Sequence, residues 1–449
     1  MTKTRSVRLC RASFVGFLAL ATFVVPSFAQ YHSQGKILGG YFEEWSIYYA
    51  GYNIANLQQN GVASKLTHLV YAFANVTTTP APSCSIADSW ADYQSPYLPS
   101  VSGVPYAGPM YGNFAAIQQL KQLHPKLKVL ISVGGASAAN TAAFVAASST
   151  QAGRQALVAS CIDMFVNGNI AAGISAPGLF DGFNIDWEYP TAAQTQNFTA
   201  LLHEFRHQLN SLTKTTGKHY VMSFDGPAGS QNFVNIDLRN AARQVDFITA
   251  EGYNYAGSWD SQTNDASALF DSKHDPLFGQ LLDVDDTVNA YLAAGVPPHK
   301  YVMGLPLYGA GWTGVPKVNH GLYQNSTGPS PVLLANGTGL CTDVSGNTPG
   351  CDPLLTPGLA TYGTLSTLTS NGFSRYFDRR RIAVTLYDPT GGTFYTYDDP
   401  STAFFKMLYV DLKVPGGLGG AFVWALKDDD ANGTMIKTMA FGLGIGRED

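Results

Sequence analysis

Asp181-Gly182-Phe183-Asn184-Ile185-Asp186-Trp187-Glu188-Tyr189-Pro190 is the stretch that decides the fold. It ends an apolar run beginning at Leu179, and side chains alternate across a strand, so Asn184, Asp186 and Glu188 share one face. A carboxamide and two carboxylates in step inside such a strand are costly unless they are used. The plainer alternative makes Asp186 and Glu188 solvated loop acids. Asp181 falls out of step and reads as support for the foot of the strand. Carboxylates held this close raise each other's pKa, which lets one stay protonated near neutral pH and act as a general acid.

Outward from this stretch the chain keeps one rhythm, short apolar runs followed by longer amphipathic ones. Strands are expected at Lys36–Phe42, Leu66–Phe73, Leu127–Val133, Leu179–Trp187, Tyr220–Phe224, Phe247–Tyr253, Tyr301–Leu307 and Gly419–Leu426. The clearest helix is Gln194–Leu212, where Phe198, Leu201, Leu202, Phe205 and Leu209 recur on one face. Apolar strands separated by helices build a covered parallel sheet, and eight such units make an α/β fold, the closed (β/α)8 TIM barrel. Its active site lies at the C-terminal ends of the strands, where residues 184–188 stand. Residues 308–398 are too many for a plain loop after the seventh strand. A Gly/Ser/Asn/Pro-rich part, Asn319–Pro353, and a strand-like part, Ile382–Tyr397, make this a small α+β insertion subdomain within a catalytic domain over residues 30–449.

With 45 % hydrophobic and 13 % charged residues, the 449-residue chain can bury a large core. Lys3, Arg5, Arg8 and Arg11 precede an apolar run from Phe14 to Val25 and the small residues of Pro26-Ser27-Phe28-Ala29, the pattern of a signal peptide spanning residues 1–29. A membrane anchor is the alternative, but the run is short of the ~20 residues a bilayer needs. Cleavage removes four positive charges and no negative ones, taking the formal charge from −5 to −9. An acidic, exported (extracellular or periplasmic) protein is not expected to bind nucleic acid or membrane. Cys10 leaves with the signal. Cys341 and Cys351 share one polar loop and are expected to form a local disulfide, Cys161 reads as a buried thiol, and Cys84 has no assignable partner. No CxxC pair is present, and neither a metal nor a cofactor is expected.

Five of the six tryptophans, Trp45, Trp187, Trp259, Trp312 and Trp424, fall at or just beyond expected strand ends, joined by Tyr41, Phe73, Tyr189, Tyr253, Tyr255 and Tyr308. Flat side chains there suit the apolar C–H faces of sugar rings.

Asp181 to Glu188 resembles the DxxDxDxE signature of glycoside hydrolase family 18, and Ser132-Val133-Gly134-Gly135 resembles its SxGG motif. The resemblance extends to Gly40-Tyr41-Phe42, Tyr71-Ala72-Phe73, Tyr253-Asn254-Tyr255, Leu305 to Gly309 and Gly419 to Trp424, and the insertion resembles that of the family's larger chitinases. It implies a chitinase cutting β-1,4 bonds of chitin or chito-oligosaccharides with retention, the substrate's N-acetyl group serving as nucleophile; the protein is expected to be a monomer. Glu188 would be the acid and base, Asp186 would orient the acetamido nitrogen, Tyr253 would bind the acetamido oxygen, and Asn184 completes the catalytic set. Trp424 would floor the subsite, with Tyr41, Phe73, Gly135, Trp187, Tyr189, Glu251 and Asn254 binding substrate; Ser132, Gly134 and Asp181 are structural. Spacing alone leaves Asp186 open as a covalent nucleophile. Asn184, Asn254 and Glu251 depart from the commonest pattern, and an amide at 184 is expected to let Asp186 ionise more readily. The competing readings are an endo-β-N-acetylglucosaminidase acting on N-glycans and a non-catalytic chitin-binding lectin.

Overall fold

The computed structural model describes residues 35–48, 50–341, 351–352 and 355–446; the signal-peptide segment lies outside them. Eight parallel strands form the barrel: β1 Ile37–Glu43, β2 His68–Thr77, β3 Lys128–Gly134, β4 Gly182–Asp186, β5 Val221–Gly226, β6 Phe247–Ala250, β7 Tyr301–Pro306 and β8 Gly420–Trp424. All eight fall where the apolar runs placed them. The first strand pairs with both β2 and β8, which closes the sheet into a ring. The closure is reinforced where the Lys36 ammonium donates to the Leu418 carbonyl at 2.6 Å. Helices follow the strands, among them Gly112–Leu123, Thr195–Thr216, Val284–Ala293, Pro400–Leu412 and Thr434–Gly442.

Alternation splits the barrel into two cores. Phe183 and Ile185 face outward and pack with Phe198 and Phe205 of the Thr195–Thr216 helix, whose buried face is the stripe expected from sequence. Inward-facing Val70, Leu130, Val221, Phe247, Val302 and Phe422 fill the ring below its C-terminal mouth. Strand β4 is shorter than its apolar run. Asp181 stops it at the foot, its Oδ2 accepting from the Lys121 ammonium (2.7 Å) and the Val129 amide (2.8 Å).

Beyond β7 lies an antiparallel sheet in the order Gly328–Pro329, Tyr308–Thr313, Thr393–Tyr397, Ala383–Asp388, Ser374–Asp378, with Leu359–Thr361 also paired to Tyr308–Thr313. Tyr308–Thr313 follows β7 after a single residue, so this sheet stands on the mouth. The 251–283 connection after β6 also braces it: Asp265 pairs with Arg381, the Ser267 hydroxyl donates to Asp398, and the Leu269 amide donates to the Arg381 carbonyl. Sequence reading singled out only the connection after β7, because the one after β6 has no periodicity to betray it.

Cysteine pairing departs from expectation. Cys161 is not a thiol but is joined to Cys84 across 77 residues. Strand β2 folds back through the antiparallel strand Ser83–Ile86 and carries Cys84 to the end of the Gln151–Cys161 helix, where the Cys84 amide also donates to Ser160 Oγ. Nothing local in the sequence reports that encounter. Cys341 and Cys351 are also joined. Because the 84–161 bridge closes a long loop, Cys84→Ser is expected to lower unfolding stability by about 2–4 kcal/mol. Guanidinium denaturation of parent and variant under oxidising conditions checks this; coincident midpoints would contradict it.

Candidate active site

At the centre of the ring Asn184 is fully buried, and its amide is committed on both sides. Its Oδ1 accepts from the Tyr41 hydroxyl (3.0 Å) and Ser132 Oγ (2.8 Å), while Nδ2 donates to Ser223 Oγ (2.9 Å) and Thr249 Oγ1 (3.3 Å). Five strands are thereby tied to one carboxamide. Directly above, β3 and β4 run unusually close. A Cβ on Gly134, whose φ is 124°, would lie 2.0 Å from the Asp186 carbonyl, and one on Gly135 would strike the Phe73 ring. Only glycine allows this approach, which the Gly135 amide uses to donate to the Asp186 carbonyl at 2.9 Å.

Four carboxyls gather at this mouth. Asp186 ends β4, Glu188 follows it, Asp225 comes from β5 and Glu251 follows β6. Asp225 was not read from the sequence, although Val221, Ser223 and Asp225 alternate inward just as 184, 186 and 188 do. Burial raises the pKa of Asp186, and the charges of Glu188 and Glu251 raise it further; Asp225 is raised by burial and by Asp186, Glu251 and Glu188. Burial also raises Glu188, partly offset by a hydrogen bond from the Tyr189 hydroxyl. Burial pushes Glu251 up to about 7 despite bonds from the Ala228 amide (3.0 Å) and the Tyr189 hydroxyl (3.2 Å). Asp186 Oδ1 is buried with no hydrogen-bond partner among the described residues.

The amide at 184 makes no hydrogen bond to Asp186, so it acts on that carboxyl only by carrying no charge. Both Nδ2 bonds of Asn184 go to hydroxyls of β5 and β6, and the like charges that hold Asp186 up come from Glu188 and Glu251 instead. A carboxylate introduced by Asn184→Asp would add to that repulsion, so the acidic limb of the pH–rate curve is expected to move to higher pH. Superimposable curves for parent and variant would refute this. Burial sets the sign of a stability effect at Glu251. Glu251 ionises near 7 in the fold instead of near 4.5, so the native state holds the extra proton in that window and its stability falls as pH rises through it. Glu251→Gln lacks this penalty, and its stability relative to the parent is expected to rise between pH 5 and pH 7.5 in urea titrations.

The aromatic residues sort into those at the mouth and those that are core. Trp424 is half-buried and stacks near Phe73 (5.8 Å between centroids), which in turn neighbours Trp45 at 6.0 Å. Tyr253 meets Tyr308 edge-on, and the Tyr308 hydroxyl donates to Asn254 Oδ1 at 2.7 Å. Asn254, at φ 61°, is exposed on the rim. Trp187 does not belong to the site: it is 2 % exposed and faces outward between Phe144 and Phe198. Its odd place in the 184/186/188 alternation accounts for this. Tyr41, at 1 % exposure, lies beneath Trp424 and supports Asn184 instead of facing the cleft. Trp312 is core of the inserted sheet, its Nε1 donating to the Asp260 carbonyl, while Trp259 stands exposed on the loop after β6. Non-proline cis peptides occur at Ala72–Phe73, Glu188–Tyr189 and Trp424–Ala425, all at this end of the barrel.

Residues 37–429 match the sequence profile of glycosyl hydrolases family 18. Chitinase A1 of Niallia circulans is 28 % identical over 467 residues, covering 93 % of this chain and 60 % of that protein. Chitinase C of Streptomyces lividans is 30 % identical over 403 residues, covering 88 % and 57 %. The chain thus spans less than two thirds of the length of these relatives. Among solved structures, the catalytic domain of psychrophilic chitinase B from Arthrobacter TAD20 superposes with a TM-score of 0.79 at 30 % identity over 91 % of this chain and 95 % of that one. Chitinase ChiA74 from Bacillus thuringiensis gives 0.74 at 28 % identity over 93 % and 71 %.

Proposed function

Because this chain belongs to glycosyl hydrolase family 18, we propose that it is an exported chitinase that cleaves β-1,4 bonds between N-acetylglucosamine units with retention of configuration. The observation that carries the reading is the pairing of Glu188, a half-buried carboxyl at the mouth with a raised pKa, with Asp186, whose Oδ1 is buried without a donor. Glu188 stays protonated long enough to donate to the glycosidic oxygen, and afterwards its carboxylate draws a proton from water. The unsatisfied oxygen of Asp186 suits an N–H donor from the ligand. Once bound to the substrate's acetamido nitrogen, that carboxylate steers the acetamido oxygen onto the anomeric carbon and stabilises the positive charge of the oxazolinium that forms. Tyr253 would donate to the acetamido oxygen, Trp424 would floor the ring, and Phe73, Gly135 and Tyr189 would enclose it. After burial and Glu188, the charge of Glu251 also raises Asp186. Two disulfides suit an oxidising compartment, in keeping with export.

The test is hydrolysis of chitotetraose with the anomer followed at early times. Initial release of the β-anomer is expected, and initial α-anomer would overturn the retaining mechanism. Binding without cleavage would make the protein a lectin. Glycan release from a glycoprotein, with no action on chitin oligomers, would make it an endo-β-N-acetylglucosaminidase.

A further inference from the structure

Away from the cleft, the connection after β6 turns back to the helix Val284–Ala293 through a group of acids that the mechanism does not use. We propose that Asp271, Asp283 and Asp286 hold one divalent cation of the calcium type, which ties the 271–283 loop to the start of that helix. One carboxylate oxygen from each of the three lies within 4.8 Å of the other two. Oxygens at about 2.3–2.6 Å from a single Ca2+ lie at most about 5 Å apart, so a span of this size fits one shared ion.

The second observation is independent of the clustering. Asp283 is 1 % exposed, and its two oxygens are used differently. Oδ1 caps the helix by accepting from the Asp286 amide at 2.7 Å, whereas Oδ2 is buried with no hydrogen-bond partner among the described residues. A buried carboxylate oxygen without a donor, beside two more carboxylates, is costly unless positive charge meets it. Two buried or half-buried lysines of the surrounding elements are committed elsewhere. Lys413 donates to Asp285 Oδ1 (2.6 Å), an oxygen that also accepts from the Tyr409 hydroxyl, and Lys406 is buried on Asp398 and the Ser267 carbonyl. The loop is already folded round the site, since Asp271 accepts from the Ser272 and Gly279 amides.

The donor set selects the metal. Three carboxylates with neither histidine nor cysteine favour a hard cation over zinc or copper. The flexible, many-oxygen coordination of Ca2+ suits a loop better than the strict octahedron of Mg2+, with water and backbone carbonyls completing the shell. A search for metal sites by Cys and His spacing passes over three aspartates spread from 271 to 286. Upstream, the same connection grips the inserted sheet through Asp265, Ser267 and Leu269, so the cation would stiffen the support of the cleft wall.

Isothermal titration of EDTA-treated protein with CaCl2 is expected to give one ion per chain, and Ca2+ at 100 times Kd should raise Tm by about 3 °C. Asp271→Asn, a change on the outer loop, should weaken binding at least tenfold, and Asp283→Asn should abolish it. If Asp283→Asn does not fold, Asp271→Asn alone decides. No heat and an unchanged Tm with Ca2+, or weak multi-site binding that Asp271→Asn leaves unaltered, would overturn the proposal. None of these readouts depends on hydrolysis.

Discussion

Glu188→Gln is expected to lower kcat on chitotetraose by about 1000-fold while leaving the affinity for the oligomer close to parental. Glutamine copies the shape and hydrogen-bonding capacity of a protonated glutamate but has no proton to give. The loss therefore falls on bond cleavage, where the leaving oxygen must be protonated, and spares binding. Stability supplies an internal control. Burial makes ionised Glu188 unfavourable, so a neutral isostere there should leave the fold at least as stable above pH 7. A variant that is inactive, binds chitotetraose and melts no lower than the parent would fix the role of this carboxyl. Retention of more than a tenth of parental kcat would remove Glu188 from the mechanism.

Asp186→Ala should cost nearly as much, about 100- to 1000-fold in kcat/KM, because the oxazolinium would lose its counter-charge and the acetamido group its orientation. This variant also decides what spacing left open. Were Asp186 a covalent nucleophile, azide could enter the space left by the carboxylate, attack the anomeric carbon and restore turnover as a glycosyl azide. With the substrate's own acetamido oxygen as nucleophile, azide should have no effect. Rescue by azide would refute the substrate-assisted mechanism while leaving the fold and the acid in place.

The barrel was legible because its strands are buried on both faces and so read as unbroken apolar runs, each followed by a helix. The inward set 184, 186 and 188 was legible for a related reason, since polar residues in step stand out against such a run. Alternation applied with the same rigour to β5 would have found Asp225, and applied to Trp187 would have sent that ring to the outer core, where it packs on Phe144. Motif resemblance drew attention toward residues beside the signature and away from their parity. Tyr41 misled differently: its position at a strand end is correct, but the depth at which a side chain sits depends on what covers it, here Trp424 from the far end of the chain. The 84–161 disulfide and the bracing by the β6 connection are long-range contacts between locally featureless segments, which no periodicity reports.

The ring closes where β1 meets β8, with Lys36 reaching Leu418 across 382 residues of chain. A nascent polypeptide must therefore carry two unpaired sheet margins until almost all of it has been made, each an invitation to stick to a neighbour. Tyr41 and Trp424 meet only at that last docking step, so the mouth of the barrel is assembled late. Such distant contacts also make for slow folding. The chain's dependence on chaperoning should be set less by its core than by the wait for its final strand.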